Sequence, residues 1–325
     1  MAETDSPSAT HPEADTDPDA TPPDGLAVTV DFAAGRGAGL DLGVSCGGGG
    51  VFFVAWQVAY LHEMADQGVE LAAADRLVGT SAGSIVASVL GAGHLRRFFK
   101  EVSLLSKVPK LLGALAPAGD LHPSQLRARD AFALAVDNDP DTIRSIGHAA
   151  LAAQTPAASV MSRNVGVILG SRTFPASLHV SCVDTFTGER CVVTRTTKVP
   201  IARTVAASSA VPGLFAPQPL GDRRCMDGGV SGSGTHLDLL AGARRVVVLA
   251  LSDGSDVTTG MMTSAVGSTE AEFNALRGSG SELFVRTPDA VDVAQLMDPA
   301  AVPDAIAMGR RQAAADAASL RTFLA

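Results

Sequence analysis

The chain has 325 residues, 46% hydrophobic content, a mean hydropathy of +0.22 and a formal charge of −9, enough apolar material to bury a large single core. The acidic balance argues against a nucleic-acid partner, and no uninterrupted apolar segment is long enough to span a bilayer. Four cysteines in apolar contexts (Cys46, Cys182, Cys191, Cys225) fit reduced buried thiols, and the seven histidines have no ligand spacing, so no metal or other cofactor is expected.

Residues 1–25 hold seven acids, no Lys or Arg and five prolines, a composition that predicts disorder. The extension is drawn to residue 37, with one domain over 38–325. The acidic start has no apolar h-region, so a cytoplasmic location is expected.

An apolar run predicts a strand at 40–45, followed by Ser45-Cys46-Gly47-Gly48-Gly49-Gly50 and a helix at 51–67. Consecutive glycines bare their backbone N–H groups, and at a helix N-terminus such groups bind anions, whether a phosphate or the oxyanion of acyl transfer. A tight turn or a dinucleotide site is the alternative, although the Gly-x-Gly-x-x-Gly spacing is absent. Next come a strand at 75–79, the pentapeptide Gly79-Thr80-Ser81-Ala82-Gly83 and a helix at 82–91. A strand-to-helix turn strains its central residue and needs small neighbours, here Gly79 and Gly83, which makes Ser81 a candidate nucleophile. The plainer reading leaves Ser81 as the helix N-cap.

Residues 94–177 carry weak sheet signals and polar helices, one at 126–136, and read as an insertion that caps the site. Within it the run 95–112 combines bulky apolar residues with Arg96, Arg97, Lys100, Lys107 and Lys110. A solvated basic face on a core helix is the commoner meaning of such a pattern, and peripheral contact with an anionic lipid surface is the other. Strands at 178–183 and 190–194 flank a turn at Thr185-Phe186-Thr187-Gly188. A strand at 223–227 then ends in Asp227-Gly228-Gly229, where the aspartate serves either as a base or in an Asx turn. A buried strand at 245–251 and a helix at 302–323 complete a three-layer α/β domain, with a mostly parallel central sheet flanked by helices.

The glycine loop, the Gly-x-Ser-x-Gly elbow about thirty residues later and the distant Asp-Gly-Gly, in that order, resemble the patatin-like phospholipases. Ala206-Ala207-Ser208-Ser209-Ala210-Val211-Pro212-Gly213-Leu214-Phe215-Ala216-Pro217 is similar to that family's approach to its aspartate. The resemblance covers about residues 38–312. It implies a lipid or other ester substrate, Ser81 as nucleophile, Asp227 as general base, and an oxyanion hole from Gly47, Gly48, Gly49 and Gly50, with Gly79, Gly83, Gly228 and Gly229 in support. Two departures stand out: the loop lacks the family's basic residue and runs into Val51-Phe52-Phe53, and Val230-Ser231 replaces the usual asparagine and proline. Two rival readings are a Ser81–acid–His236 α/β-hydrolase and a lipid-binding or regulatory protein with a degenerate site.

Overall fold

A computed structural model describes residues 26–107, 120–253, 267–289 and 291–325. The expected disorder of residues 1–25 and the end of the basic run, 108–112, lie outside these residues. The chain forms β1 (Leu42–Cys46), α1 (Gly50–Asp66), β2 (Arg76–Thr80), α2 (Ala82–Gly91) and α3 (Leu95–Leu105), followed by α4 (Pro123–Ala133), α5 (Pro140–Ala152) and α6 (Ala158–Leu169). Then come β3 (Leu178–Asp184), β4 (Arg190–Thr194), α7 (Ile201–Ser208), β5 (Gln218–Leu220) and β6 (Arg223–Asp227), and finally β7 (Arg245–Leu249), α8 (Ser268–Gly278), β8 (Glu282–Arg286) and α9 (Val302–Leu324).

One sheet takes the order β5-β6-β3-β2-β1-β7-β8, with β4 also paired to β3. Strands β3, β2, β1, β7 and β8 run parallel, while β4, β5 and β6 supply the antiparallel pairs. Alternation along the strands sorts the core into two layers. Val44, Cys46, Leu77, Leu178, Val180, Val247 and Leu249 pack with α1, α2, α3, α6 and α9 on one face. Val78, Val246 and Val248 pack with Leu237, Leu239 and Leu240 and with Phe273 and Leu276 of α8 on the other. The result is the expected three-layer arrangement.

One expectation changes. Residues 26–37 do not behave as part of an unpacked extension: Leu26 is fully buried, Ala27 bridges Cys191, and Val28 N–H donates to Arg190 O at 2.9 Å. The apolar Leu26-Ala27-Val28 thereby covers the outer edge of β4, which would otherwise present unpaired backbone groups. The described part of the segment expected to cap the site packs into the domain. Leu95, Phe98 and Val102 of α3 and Val165 and Leu169 of α6 belong to the main core, whereas Phe132, Ile143, Ile146 and Ala150 of α4 and α5 pack on Val183, Met226 and Val230 beside Asp227.

Two of the run's basic residues, Arg96 and Arg97, have partners within the protein. The apolar face of α3 is core, Arg96 pairs with Asp66 at 3.2 Å, and Arg97 donates to Leu169 O at 2.7 Å and lies 3.6 Å from Glu101. No helix among the described residues is long and apolar enough to cross a membrane.

Candidate active site

The strand-to-helix turn forms as its glycines require. β2 stops at Thr80, α2 starts at Ala82, and Ser81 between them takes φ 50° and ψ −122°, a strained conformation for a residue with a side chain. Gly83 is obligatory because a Cβ there would collide with the carbonyl oxygen of Cys46 at the end of β1. This close approach sets the glycine loop directly against the elbow. Ser81 holds the N-cap position of α2, but its side chain makes no capping hydrogen bond there, so the hydroxyl is left for other chemistry. The Ser81 backbone is fully engaged. Its N–H donates to Ser208 Oγ at 2.9 Å, and its carbonyl accepts from Ser84 N–H at 2.9 Å, Ser84 Oγ at 2.6 Å and Ser209 Oγ at 3.2 Å.

Asp227 reaches Ser81 through strand pairing rather than through sequence proximity. β3 pairs with β4 along residues 179–183 on one edge. Both β2, with Thr80 opposite Ser181, and β6, with Asp227 opposite Cys182, must therefore share the other edge. They run toward each other and meet end to end, one residue apart on β3. A rise of about 3.3 Å per residue makes the two chain ends neighbours. Gly228 fits this junction because a Cβ would press on Ser181 O and lie 3.0 Å from Thr80 Cγ2.

The Asp227 N–H donates to Ala210 O at 3.0 Å, and its Oδ1 accepts from Gly229 N–H at 2.8 Å, so the Asx turn is present as well. Oδ2 is buried and has no hydrogen-bond partner among the described residues. Burial pushes the carboxyl up to about 6, and the Ser81 hydroxyl and Gly229 N–H pull in the opposite direction. The serine is thus close enough to act on the carboxyl's proton affinity, yet no Ser81–Asp227 hydrogen bond of normal geometry is closed. Unliganded sites often hold such pairs loosely.

The glycine loop divides into two halves, and this corrects the expectation. Gly47 N–H donates to Leu249 O at 2.9 Å and Gly48 N–H to Gly234 O at 3.2 Å, so neither is free for an oxyanion. The Gly49 and Gly50 N–H groups have no acceptor among the described residues. They open α1, whose first turn carries no acid, so the helix dipole points its positive end outward there. Gln57, buried about two turns into α1, donates to Gly47 O at 3.0 Å and pins the loop.

His236 is buried, but its neighbours are Arg190, with Nη1 3.3 Å from Nδ1, and the backbone of Gly228. Burial and the Arg190 charge hold its pKa well below the usual imidazole value. No histidine is among the groups acting on Asp227, so a Ser81–Asp227–His236 relay has no contact to run through. The four cysteines are free and buried. Ser208, Ser209 and Ala210, which touch both Ser81 and Asp227, were visible in the sequence only as part of the approach to Asp227, and nothing there marked their contacts.

Among curated protein sequences none matches the chain. Solved structures that overlap it loosely include the type III effector protein ExoU, at 17% identity and a TM-score of 0.30, and VipD from Legionella pneumophila, at 13% and 0.34. The chain spans 53% and 66% of their respective lengths, with 84% and 83% of its own residues covered. The profile of the patatin-like phospholipases matches residues 44–240. That stretch opens inside β1, takes in the glycine loop, the elbow and Asp227, and accounts for more than half of the chain, so the protein belongs to the patatin-like phospholipase family.

Proposed function

We propose that the protein hydrolyses lipid acyl esters with a Ser81–Asp227 dyad and no cofactor. The observation that carries this reading is the end-to-end meeting of β2 and β6 on β3, which brings a strained serine beside a buried carboxylate with one unbonded oxygen. Ser81 Oγ attacks the ester carbonyl as its proton passes to Asp227 Oδ2, and the oxyanion is held by the Gly49 and Gly50 N–H groups. Collapse breaks the ester bond. The leaving alcohol takes the proton from Asp227, and the acyl group stays on Ser81. Water then attacks the acyl-enzyme and gives its proton to Asp227; collapse breaks the Ser81 Oγ–acyl bond, Oγ takes the proton back from Asp227, and the acid leaves. The Ser81 N–H takes no part as an oxyanion donor, because Ser208 occupies it.

Covalent labelling of Ser81 by a fluorophosphonate, followed by product analysis on phospholipids, lysolipids, neutral lipids and p-nitrophenyl esters, tests the proposal. Absence of labelling returns the protein to the degenerate, lipid-binding reading. The domain reading proposed with this function is one acyl hydrolase domain with an internal helical segment at 94–177, acting in the cytoplasm.

The protonation state of Asp227 gives a pH prediction. The base must be ionised, and its pKa is raised to about 6. Activity is therefore full above that value and falls as pH drops through it, by about tenfold per unit well below it. A kcat/KM profile on a soluble short-chain ester checks this. A flat profile from pH 4.5 to 7.5 would remove Asp227 from the role.

Peripheral lipid contact through residues 95–112 is a second part of the proposal. Leu104 is 66% exposed, and Lys100 and Lys107 are exposed beside it. Replacing Lys100, Lys107 and Lys110 with glutamine is expected to weaken binding to anionic vesicles by about 1 kcal/mol per charge removed while sparing the soluble ester. Unchanged vesicle binding leaves α3 as a core helix with a solvated face.

A further inference from the structure

The segment Ser208-Ser209-Ala210 touches both members of the proposed dyad through hydrogen bonds. Ser208 is the last residue of α7, fully buried, and its Oγ is the acceptor of the Ser81 N–H at 2.9 Å. Ser209 donates its hydroxyl to the Ser81 carbonyl at 3.2 Å. Ala210 offers its carbonyl to the Asp227 N–H at 3.0 Å. Three successive residues thus grip the nucleophile on both sides of its backbone and the carboxylate residue on one. Helix α7 ends there because the chain turns away at Ser209 and Ala210 toward Pro212, and the small Ala206, Ala207 and Ser208 let the helix end approach the elbow closely.

We infer that Ser208 is a positioning residue of the reaction: its hydroxyl sets the strained Ser81 backbone, and the adjoining Ala210 carbonyl fixes Asp227 relative to it. The inference rests on the acyl-hydrolase reading and deepens it. The two serines are unequal. The Ser81 carbonyl keeps the Ser84 N–H and Ser84 Oγ when Ser209 is removed, whereas the Ser81 N–H has Ser208 as its acceptor and no other among the described residues. A φ of 50° at a residue with a Cβ is not self-sustaining, so the elbow depends on these bonds to hold its geometry. Without Ser208 Oγ the elbow relaxes, and the Ser81 hydroxyl moves out of line with the base and the oxyanion donors.

The test compares Ser208→Ala and Ser209→Ala by three readouts: the Ser81 amide exchange rate, the second-order rate of fluorophosphonate labelling, and kcat against KM on a soluble ester. Misplacement of a reacting group by an ångström costs about 100-fold, so Ser208→Ala is expected to slow labelling and kcat by about 30- to 100-fold with KM within about twofold. Its Ser81 amide exchanges at least about tenfold faster, as an N–H without its acceptor should. Ser209→Ala stays within about threefold of the unmodified protein in every readout, because the carbonyl it leaves remains doubly bonded.

Labelling of Ser208→Ala at the unmodified rate overturns the inference. Equal losses in both variants, matched by equal falls in melting temperature, overturn it too, since that is the mark of a merely structural role. If Ser208→Ala does not fold, Ser208→Cys takes its place with a weaker acceptor of similar size, and an unmodified labelling rate there also overturns the inference. An unmodified protein that is never labelled overturns the hydrolase reading and the positioning role with it. A labelled protein whose Ser208 variant is equally labelled overturns the positioning role alone.

Discussion

Ser81→Ala and Asp227→Asn are each expected to lower kcat on any ester by at least about 10³-fold, with melting temperature unchanged within a few degrees, because residues that act as one proton-transfer unit fail together. Ser81→Ala keeps the Ser81 backbone bonds to Ser208, Ser84 and Ser209, none of which uses the side-chain oxygen. Asp227→Asn is nearly isosteric and keeps an oxygen for the Gly229 N–H, yet it replaces the unbonded Oδ2 with a group that cannot accept a proton. The double variant should be no worse than either single one. His236→Ala, by contrast, is expected to keep activity within about tenfold, since that ring reaches the Gly228 backbone and Arg190 rather than the carboxylate. Steady-state kinetics on p-nitrophenyl esters decides the matter. Full activity in Asp227→Asn would end the dyad reading, and a loss in folded His236→Ala as deep as that in Ser81→Ala would restore the triad.

The sequence exposed those elements whose local pattern and tertiary role agree. The elbow was legible because the apolar runs on either side of Gly79-Thr80-Ser81-Ala82-Gly83 become β2 and α2 with boundaries nearly as expected. β5 was not, being three residues with a central proline at the sheet edge, and β8 was not, being a half-buried edge strand that follows Gly278-Ser279-Gly280. The glycine loop marks a different limit. Four adjacent glycines look equivalent in the chain, but Gly47 and Gly48 are taken by Leu249 and Gly234, residues roughly two hundred positions away. Which N–H groups stay free is fixed by those distant carbonyls. The same holds for the proposed dyad, because the shared edge of β3 is a property of pairing that no local pattern encodes. Residues 26–37 show the converse error. The acidic, proline-rich stretch before them suggested an extension, while Leu26 and the backbone carbonyls of Val28 and Thr29 are bound to the domain.

Asp238→Ala is expected to cost about 3–5 kcal/mol of stability, the largest structural loss of any single change considered, because it leaves the Arg190 charge buried without its partner. Arg190 and Asp238 form a two-pronged pair at 2.6 and 2.8 Å, with side-chain exposures of 3% and 1%. The pair is also a node: Arg190 donates to the carbonyls of Val28 and Thr29, and Asp238 accepts from the Asp31 N–H and from Arg36. Urea unfolding should therefore show the loss, and limited proteolysis should cut faster near residues 26–36. Replacing both partners with apolar residues of similar volume is expected to recover much of the stability, since the penalty comes from the unpaired charge rather than from the lost attraction. The carbonyls of Val28 and Thr29 lose their Arg190 donor in that double variant, so the proteolytic sensitivity should persist there. A loss below about 1 kcal/mol in Asp238→Ala, typical of an exposed pair, would mean that water enters the Arg190 site and that residues 26–36 are held by Leu26 and the β4 edge instead.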